Sequence, residues 1–389
     1  MISIACELSN QQHHFKIFLP LYFTQEESRY IRCLFFGNVK FRAWLSKRTL
    51  PKEIKRSNLI RPFASLDFLI WVLKRLYLEK SSDKLLKVYK ALLTYYLKYY
   101  VPRYPSSILI CYDTIKLPPK IENRVIVICP MTHPDSVRKD LSQASLDYPG
   151  WPISSKIDIS GVLSTSSRAD KLILLSTYAR DSFARAGFDS EKLFVLPIGP
   201  INGQMDKIEI GNLSKPKVLR VLFVGQMGLR KGVPALMELS HKIHSFGRLR
   251  LVGPCSRDVA NYIREHSNSQ TLALVQNPTP QELRQEFEQA HVFVMPSYNE
   301  GFGIACVEGM SFGQIPIISF NTGMSEMLIG TALQRFLIRP GSQEDILKNL
   351  EYISSLTENE YYALSQESLR ISQSLTFEKF SKRFVQQFC

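Results

Sequence analysis

The stretch of sequence around residue 300 begins with Val292-Phe293-Val294-Met295 and continues as Pro296-Ser297-Tyr298-Asn299-Glu300-Gly301-Phe302-Gly303-Ile304-Ala305-Cys306-Val307-Glu308-Gly309-Met310. Its first four residues are a β-branched and aromatic run, which predicts a buried strand of a parallel sheet. Apolar residues recur at helical spacing from Ile304 onward, so we expect a helix that begins near Gly303. The stretch therefore predicts a strand, a glycine-containing loop that carries Glu300, and a helix with Glu308 one turn in.

Such a loop suits a ligand that has both phosphate and hydroxyl groups. A helix start carries unpaired backbone N–H groups and a partial positive charge, which favour phosphate oxygens. Gly301 and Gly303 let the backbone approach a ligand closely because they have no Cβ, and the carboxylate of Glu300 can accept hydrogen bonds from hydroxyls. A nucleotide sugar has both parts. The same residues also fit an ordinary βα turn with a solvated Glu300.

A second loop upstream brings positive charge. The run 218–225 reads as a strand that ends in Gly225, followed by Gln226-Met227-Gly228-Leu229-Arg230-Lys231-Gly232 and a helix from Val233 to about Phe246. Arg230 or Lys231 can neutralise a diphosphate through charge-assisted hydrogen bonds. As single residues, the two could equally be ordinary solvated cations.

Strand-like and helix-like segments alternate along both halves of the chain, which predicts doubly wound parallel sheets. A shift to Gly, Pro, Asn and Lys marks a linker. We expect a first domain at 1–198, a linker at 199–217, a second domain at 218–372 and a terminal helix at 373–389. The expected strands are 107–112, 125–129, 171–175, 192–197, 218–225, 248–253, 271–276 and 292–296, and the expected helices are 178–186, 233–246, 257–266, 280–290, 343–356, 358–373 and 376–388.

The stretch around residue 300 closely resembles the donor-site signature of retaining GT-B glycosyltransferases of family 4, through Pro296-Ser297, Glu300-Gly301-Phe302-Gly303, Glu308-Gly309-Met310, Gly313 and Pro316. The resemblance implies an α/β fold of two Rossmann-like domains whose parallel sheets face across a cleft, with the last helix packed back on the first domain. It implies transfer of a sugar, with retention of anomeric configuration, from a nucleotide-diphosphate sugar to an acceptor hydroxyl in glycan biosynthesis. The acceptor would be a sugar, a lipid-linked molecule or a small molecule.

The resemblance also implies roles for particular residues. Glu300 would contact the hydroxyls of the donor sugar, Glu308 would hold the ribose hydroxyls, and Arg230 with Lys231 would hold the pyrophosphate. The family often has Gly-Arg where this chain has Gly225-Gln226, so the arginine role either passes to Arg230 or is lost. The implied donor-binding residues are Gly225, Gln226, Gly301, Phe302, Gly303, Ile304 and Glu308.

Two histidines are candidates on the acceptor side. Gln12 and His13 are similar to a Gln-His pair that some family members carry in the first βα loop, although the glycine-rich first loop of the family is missing here. His133 follows a predicted strand, at the end where open α/β sheets bind their ligands. Family members often have a histidine in a similar loop near the reacting hydroxyl, so we expect a catalytic role. The alternative is a surface histidine held by the flanking prolines.

No metal or organic cofactor is expected. No D-x-D motif lies at a strand end, and by resemblance the cations replace a metal. Two other functions stay open. A dinucleotide-dependent enzyme would need a G-x-G-x-x-G after a first strand, which is lacking. A noncatalytic GT-B binding or scaffold protein has its best support in Gln226 at the usual arginine position.

Positive charge is concentrated in residues 29–103, which hold 18 Lys and Arg but four Asp and Glu and so account for the whole net charge of +14. Aromatic residues interleave with these cations, which favours contact with an anionic membrane surface or a phosphate-bearing acceptor over a merely solvated face. No nucleic-acid motif accompanies them, so no nucleic-acid partner is expected. The seven scattered cysteines and the lack of a long apolar run predict a cytoplasmic protein. The basic segment predicts that this protein is peripheral at the inner face of the membrane.

Overall fold

The structure, a computed structural model, describes mainly residues 123–152, 160–200 and 215–389, together with Gln11, Ile17–Phe18, Leu59–Ile60, Val88, Leu92, Tyr95, 108–112 and Leu117. The chain divides into two compact units. The first comprises Met1–Ile128, Ser164–Asp170 and Ser381–Cys389, and the second comprises Cys129–Leu163 and Lys171–Phe380.

The first unit contains two pairs of parallel strands, β1 (Ile17–Phe18) with β2 (Leu59–Ile60), and β3 (Ile108–Tyr112) with β4 (Arg124–Cys129). β4 is buried along almost its whole length, which its continuous apolar run predicts for a strand of a parallel sheet. The backbone N–H of Val125 donates to the carboxylate of Asp170 at 2.7 Å. This bond fixes one end of β4.

The second unit is built on a six-stranded parallel sheet. The strands are β7 (Leu219–Val224), β8 (Gly247–Val252), β9 (Leu272–Val275), β10 (Val292–Met295), β11 (Ile315–Ser319) and β12 (Leu337–Ile338). Their order in the sheet is β12-β11-β10-β7-β8-β9. The order runs outward from β7 in one direction and from β10 in the other, which is the arrangement of a Rossmann fold, and its switch point lies between β7 and β10.

The remaining strands and the helices alternate along the chain. β5 (Lys171–Leu174) pairs in parallel with β6 (Leu193–Val195). The helices are α1 (Pro134–Asp147), α2 (Ser160–Ser166), α3 (Thr177–Arg185), α4 (Val233–Leu239), α5 (Arg257–His266), α6 (Pro280–Gln289), α7 (Ile304–Met310), α8 (Gln343–Ser355), α9 (Glu358–Ser374) and α10 (Phe377–Phe388). Of these, α1 and α2 were not predicted from the sequence.

One helix is shorter than predicted. The helix expected from Val233 to about Phe246 ends at Leu239. The Ser240 hydroxyl donates to the carbonyl oxygen of Met237 at 2.5 Å and accepts from the N–H of Asn268 at 3.0 Å, so it competes with the helical pattern at this point. The linker 199–217 lies mostly outside the described residues, and the domain boundaries stay predictions.

Candidate functional site

The loops after β7 and β10 lie at the switch point of the six-stranded sheet and pack backbone against backbone. Gly232 ends the first loop in the left-handed region, with φ 70°, and a Cβ added there would lie 2.2 Å from the carbonyl oxygen of Pro296. The N–H of Tyr298 donates to the carbonyl oxygen of Arg230 at 2.8 Å. Only a glycine at position 232 therefore lets the cation-bearing loop approach the glutamate-bearing loop this closely.

This packing brings Arg230, Lys231 and Glu300 together. The Lys231 Nζ contacts Glu300 Oε2, and Arg230 Nη1 lies 3.3 Å from the same oxygen. Arg230 Nη1 also donates to the carbonyl oxygen of Asn299 at 2.6 Å. All three charged side chains are largely buried, with exposed fractions of 24% for Arg230 and 15% for Lys231 and Glu300. The sequence-predicted cations and first glutamate thus form one cluster.

The electrostatics of the cluster favour an anionic ligand. Burial and the neighbouring Arg230 lower the pKa of the Lys231 ammonium, while the Glu300 carboxylate favours its charged form. Two cations face one carboxylate, so the cluster has excess positive charge beside the glycine loop. A diphosphate would find charge-assisted hydrogen-bond donors here.

The glycine loop between Glu300 and α7 is held from two sides. A Cβ on Gly301 would lie 2.1 Å from the carbonyl oxygen of Pro130, and the Ser176 hydroxyl donates to the Gly301 carbonyl at 2.6 Å. The Phe302 ring is 1% exposed and packs in the core, so a donor contact at this position would come from its backbone. Gly303 adopts φ 99°, which a β-carbon disfavours, and ends the loop before Ile304.

Glu308 is the fifth residue of α7 and is half-buried. Burial raises its pKa to about 7. Near neutral pH the group is therefore present both as the carboxylate, which only accepts hydrogen bonds, and as the protonated acid, which can donate one. The helix has seven residues. Because so short a helix has a small dipole, we assign most of the positive charge of the site to Arg230 and Lys231.

Gly225 and Gln226 lie in the first loop. A Cβ on Gly253, after β8, would lie 2.3 Å from the Gly225 carbonyl oxygen, so these two loop backbones also touch. The Gln226 side chain is exposed, whereas the next residue, Met227, is 1% exposed. Gln226 therefore lies on the solvent side of the loop, and its donor role stays a prediction.

His133 has a structural environment. It is 4% exposed, its Nδ1 accepts from the N–H of Asp135 at 3.2 Å and so caps α1, and its ring packs edge-on against Phe183 and Phe188. Burial lowers the pKa of the imidazole, which favours the neutral form. The alternative of a histidine exposed at the surface is wrong, while the catalytic role stays a prediction.

Sequence reasoning missed a buried polar network around Asn299. The Asn299 side chain contacts Thr132, Asp140 and Tyr178, which come from distant parts of the sequence. A carboxylate also caps α3, since Glu326 accepts from the N–H groups of Thr177, at 2.9 Å, and Tyr178. In the sequence, the only sign of this network is that Asn299 lies next to Glu300.

Several predictions lie outside the described residues. These include Gln12 and His13, and nearly all of the basic segment 29–103. Within the described part of the chain, no three His, Cys, Asp or Glu side chains are grouped as metal ligands. No helix in that part is long and apolar enough to cross a bilayer.

Solved structures share the architecture. Sucrose-phosphate synthase from Thermosynechococcus elongatus is similar with a TM-score of 0.61 and 18% identity, over 80% of this chain and 79% of that chain. Anabaena Alr3699/HepE in complex with UDP and glucose is similar with a TM-score of 0.54 and 15% identity, over 68% of this chain and 71% of that chain. The fold is therefore that of the GT-B glycosyltransferases, with two Rossmann-like parallel-sheet α/β domains.

Residues 204–368 match the family model of glycosyl transferases group 1. A segment of 106 residues is 35% identical to the GDP-mannose:cellobiosyl-diphosphopolyprenol alpha-mannosyltransferase of Xanthomonas oryzae pv. oryzae, and covers 25% of this chain and 28% of that protein. A protein of the same description from Komagataeibacter xylinus is 27% identical over 135 residues, which are 32% of this chain and 34% of that protein. The matches span only about a third of these relatives. The family model matches less than half of this chain, so these matches show a similarity to group 1 glycosyltransferases within that segment.

Proposed function

We propose that this protein is a retaining glycosyltransferase of family 4 that moves a hexose from a nucleotide-diphosphate sugar to an acceptor hydroxyl. The observation that carries the proposal is the cluster of Arg230, Lys231 and Glu300 beside the glycine loop at the sheet's switch point. Paired cations suit a diphosphate, and a neighbouring carboxylate suits sugar hydroxyls. The cluster thus matches both halves of the donor.

In the proposed reaction, the bond between the anomeric carbon and the diphosphate oxygen breaks, and a bond to the acceptor oxygen forms on the same face. The acceptor's proton passes to the departing phosphate oxygen. Arg230 and Lys231 stabilise the charge that develops on the diphosphate, which is the main catalytic contribution of the protein. Glu300 orients the sugar without attacking it, and Glu308 holds the ribose.

We propose that no metal is required, since Arg230 and Lys231 supply the positive charge that a divalent cation would otherwise provide. No organic cofactor takes part. The expectation is checked by assaying transfer with and without EDTA. A loss of activity that Mg²⁺ or Mn²⁺ restores would contradict it.

The relatives' descriptions suggest where to look for substrates. We propose a GDP-sugar as the first donor to test and a lipid-diphosphate-linked sugar as the acceptor, with glycan biosynthesis as the setting. Such an acceptor lies at a membrane surface, where the basic segment 29–103 would be attracted to anionic lipid. The enzyme would then be cytoplasmic and peripheral, with Gln12, His13 and His133 on its acceptor side.

A thermal-shift screen against UDP, GDP, ADP, NAD and their sugar conjugates tests the donor site. A ligand at 100 times its dissociation constant stabilises a folded protein by about 2.7 kcal/mol. We expect one nucleoside diphosphate to raise the unfolding temperature of the wild type but not of Glu308→Ala. Glu351→Ala, which removes an exposed glutamate of α8, serves as the matched control. A shift with NAD alone, or with none of the ligands, would contradict the proposal.

A further inference from the structure

Asn299 precedes Glu300 in the loop after β10 and is 1% exposed. Its side-chain amide joins three segments of the second unit. The Oδ1 accepts from the Thr132 hydroxyl at 2.6 Å, and the Nδ2 donates to Asp140 Oδ2 at 2.7 Å and to the Tyr178 hydroxyl at 3.3 Å. Its oxygen and both amide hydrogens are thus engaged by the β4–α1 loop, by α1 and by α3.

The main chain of the same residue touches the charged cluster. The Asn299 carbonyl oxygen accepts from Arg230 Nη1 at 2.6 Å, and the next residue contacts both cations. A displacement of Asn299 would therefore move the acceptor that orients the Arg230 guanidinium and the backbone that carries Glu300. Small displacements of this kind at a reacting site cost large factors in rate.

We propose that Asn299 is a positioning residue of the donor site, whose buried amide anchors the loop to α1 and α3 and thereby fixes Arg230 and Glu300. The inference rests on the proposed function, because what it positions is the proposed diphosphate and sugar contacts. Asn299 itself would touch neither donor nor acceptor. Its part is to hold the cluster in one geometry.

The contact between Asn299 and Asp140 offers a specific test. Asn299→Asp is nearly isosteric but places two carboxylates in contact, so the pair keeps its hydrogen bond only while it shares a proton. The other groups at this contact are the Tyr178 hydroxyl from α3, with Arg185 nearby, and the Ser136 hydroxyl from α1, 3.5 Å from the Asn299 Nδ2. The Arg230 guanidinium bonds the main-chain carbonyl of Asn299 instead. Burial and the Asp140 charge raise the pKa of Tyr178, which therefore stays neutral in the assay range.

The experiment compares the wild type, Asn299→Asp, Asp140→Asn and the double variant between pH 5.5 and 9. Dissociation constants for GDP and UDP are measured by calorimetry, and kcat and KM with the matching nucleotide sugar. We expect Asn299→Asp to lose about tenfold in kcat/KM relative to the wild type as the pH rises, a factor typical of the coupling between contacting residues. The double variant restores an amide-to-carboxylate hydrogen bond with the partners exchanged, so its profile should return to within about threefold of the wild type. Asn261→Asp, on an exposed face of α5, is the matched control.

An Asn299→Asp profile parallel to the wild type would overturn the inference, and so would a double variant as impaired as Asn299→Asp. If the wild type neither binds a nucleotide nor turns over a nucleotide sugar, the proposed function is wrong. The anchor is then tested by the unfolding temperatures of the four proteins across the same pH range. The anchoring role of Asn299 is supported if the unfolding temperature of Asn299→Asp alone falls with rising pH. It is overturned if the unfolding temperature of the double variant falls in the same way.

Discussion

Replacing Lys231 by methionine removes one positive charge from the donor site while keeping a side chain of similar length. Lys231 is 15% exposed, so its ammonium is screened by water far less than a surface cation. Glu300 keeps a charged partner in the variant, because Arg230 Nη1 lies 3.3 Å from its carboxylate. The second unit should therefore fold, and the main effect should fall on binding of the diphosphate.

The size of the effect follows from the contact that is lost. A hydrogen bond to a charged group contributes about 1.5 to 3 kcal/mol. Since about 1.4 kcal/mol is a factor of ten in an equilibrium constant, Lys231→Met should weaken binding of a nucleoside diphosphate about 10- to 150-fold. Turnover should fall by at least the same factor, because the charge on the diphosphate grows as the glycosidic bond breaks.

Isothermal titration with the nucleoside diphosphate chosen by the thermal-shift screen measures the change. Lys242→Met is the matched control, since Lys242 is an exposed lysine of the same unit and its Nζ donates only to the Gln343 side chain, at 3.1 Å, among the described contacts. The control should bind like the wild type. If Lys231→Met also binds with an unchanged dissociation constant, the assignment of the diphosphate to this cluster is wrong.

Three further predictions concern stability, each read from urea unfolding. Burial raises the pKa of Glu308 from 4.5 to about 7, so the folded state retains a proton that the unfolded state releases. The free energy of unfolding should therefore fall by up to about 3 kcal/mol between pH 4.5 and 8. Glu308→Gln should lack this slope, and a slope identical to that of the wild type would refute the burial argument. Gly301→Ala should destabilise the protein by about 1 to 3 kcal/mol, because the added Cβ would clash with the Pro130 carbonyl. Gly228→Ala should cost less stability, because a Cβ at that position would lie in open space. Equal losses of stability in the two variants would be inconsistent with the packing of Gly301 against Pro130. Burial opposes ionisation of Glu286, but hydrogen bonds from two arginines lower its pKa overall, so the stability that the carboxylate provides is present above pH 4.5 and is lost below it. Glu286→Gln should lower the free energy of unfolding by about 1 to 3 kcal/mol at pH 7 and not at all at low pH. A loss of stability that is independent of pH would contradict the role of these hydrogen bonds.

The secondary structure around the site was predictable because its signals are local. The strand predicted at Val292 to Pro296 is observed as Val292–Met295, and the helix expected to begin near Gly303 begins at Ile304. Apolar periodicity and glycines act over a few residues, so a single sequence reveals them. Ser240 shows the limit, since its hydrogen bond to Asn268, 28 residues away, helps to end α4 early.

The cluster itself was only partly predictable. That Arg230, Lys231 and Glu300 meet follows from the pairing of β7 with β10, which periodicity cannot give. The family resemblance implied only that the three residues hold the same donor. The contacts of Asn299 with Asp140 and Thr132 span 159 and 167 residues and leave no local pattern. The burial of His133 against Phe183 likewise depends on a segment 50 residues away, which explains why the loop position alone suggested exposure.

Product analysis with the purified full chain shows directly whether the protein is a retaining glycosyltransferase. The protein is incubated with GDP- and UDP-sugars and a panel of free, small-molecule and lipid-diphosphate-linked sugar acceptors. The amount of nucleoside diphosphate released is compared with the amount of glycosylated product. The anomeric configuration of the product is determined by proton NMR. We predict equal amounts of nucleoside diphosphate and product, with the anomeric configuration of the donor retained. An inverted product would contradict the retaining mechanism, and a donor that binds but stays intact with every acceptor would show a binding protein on a glycosyltransferase fold.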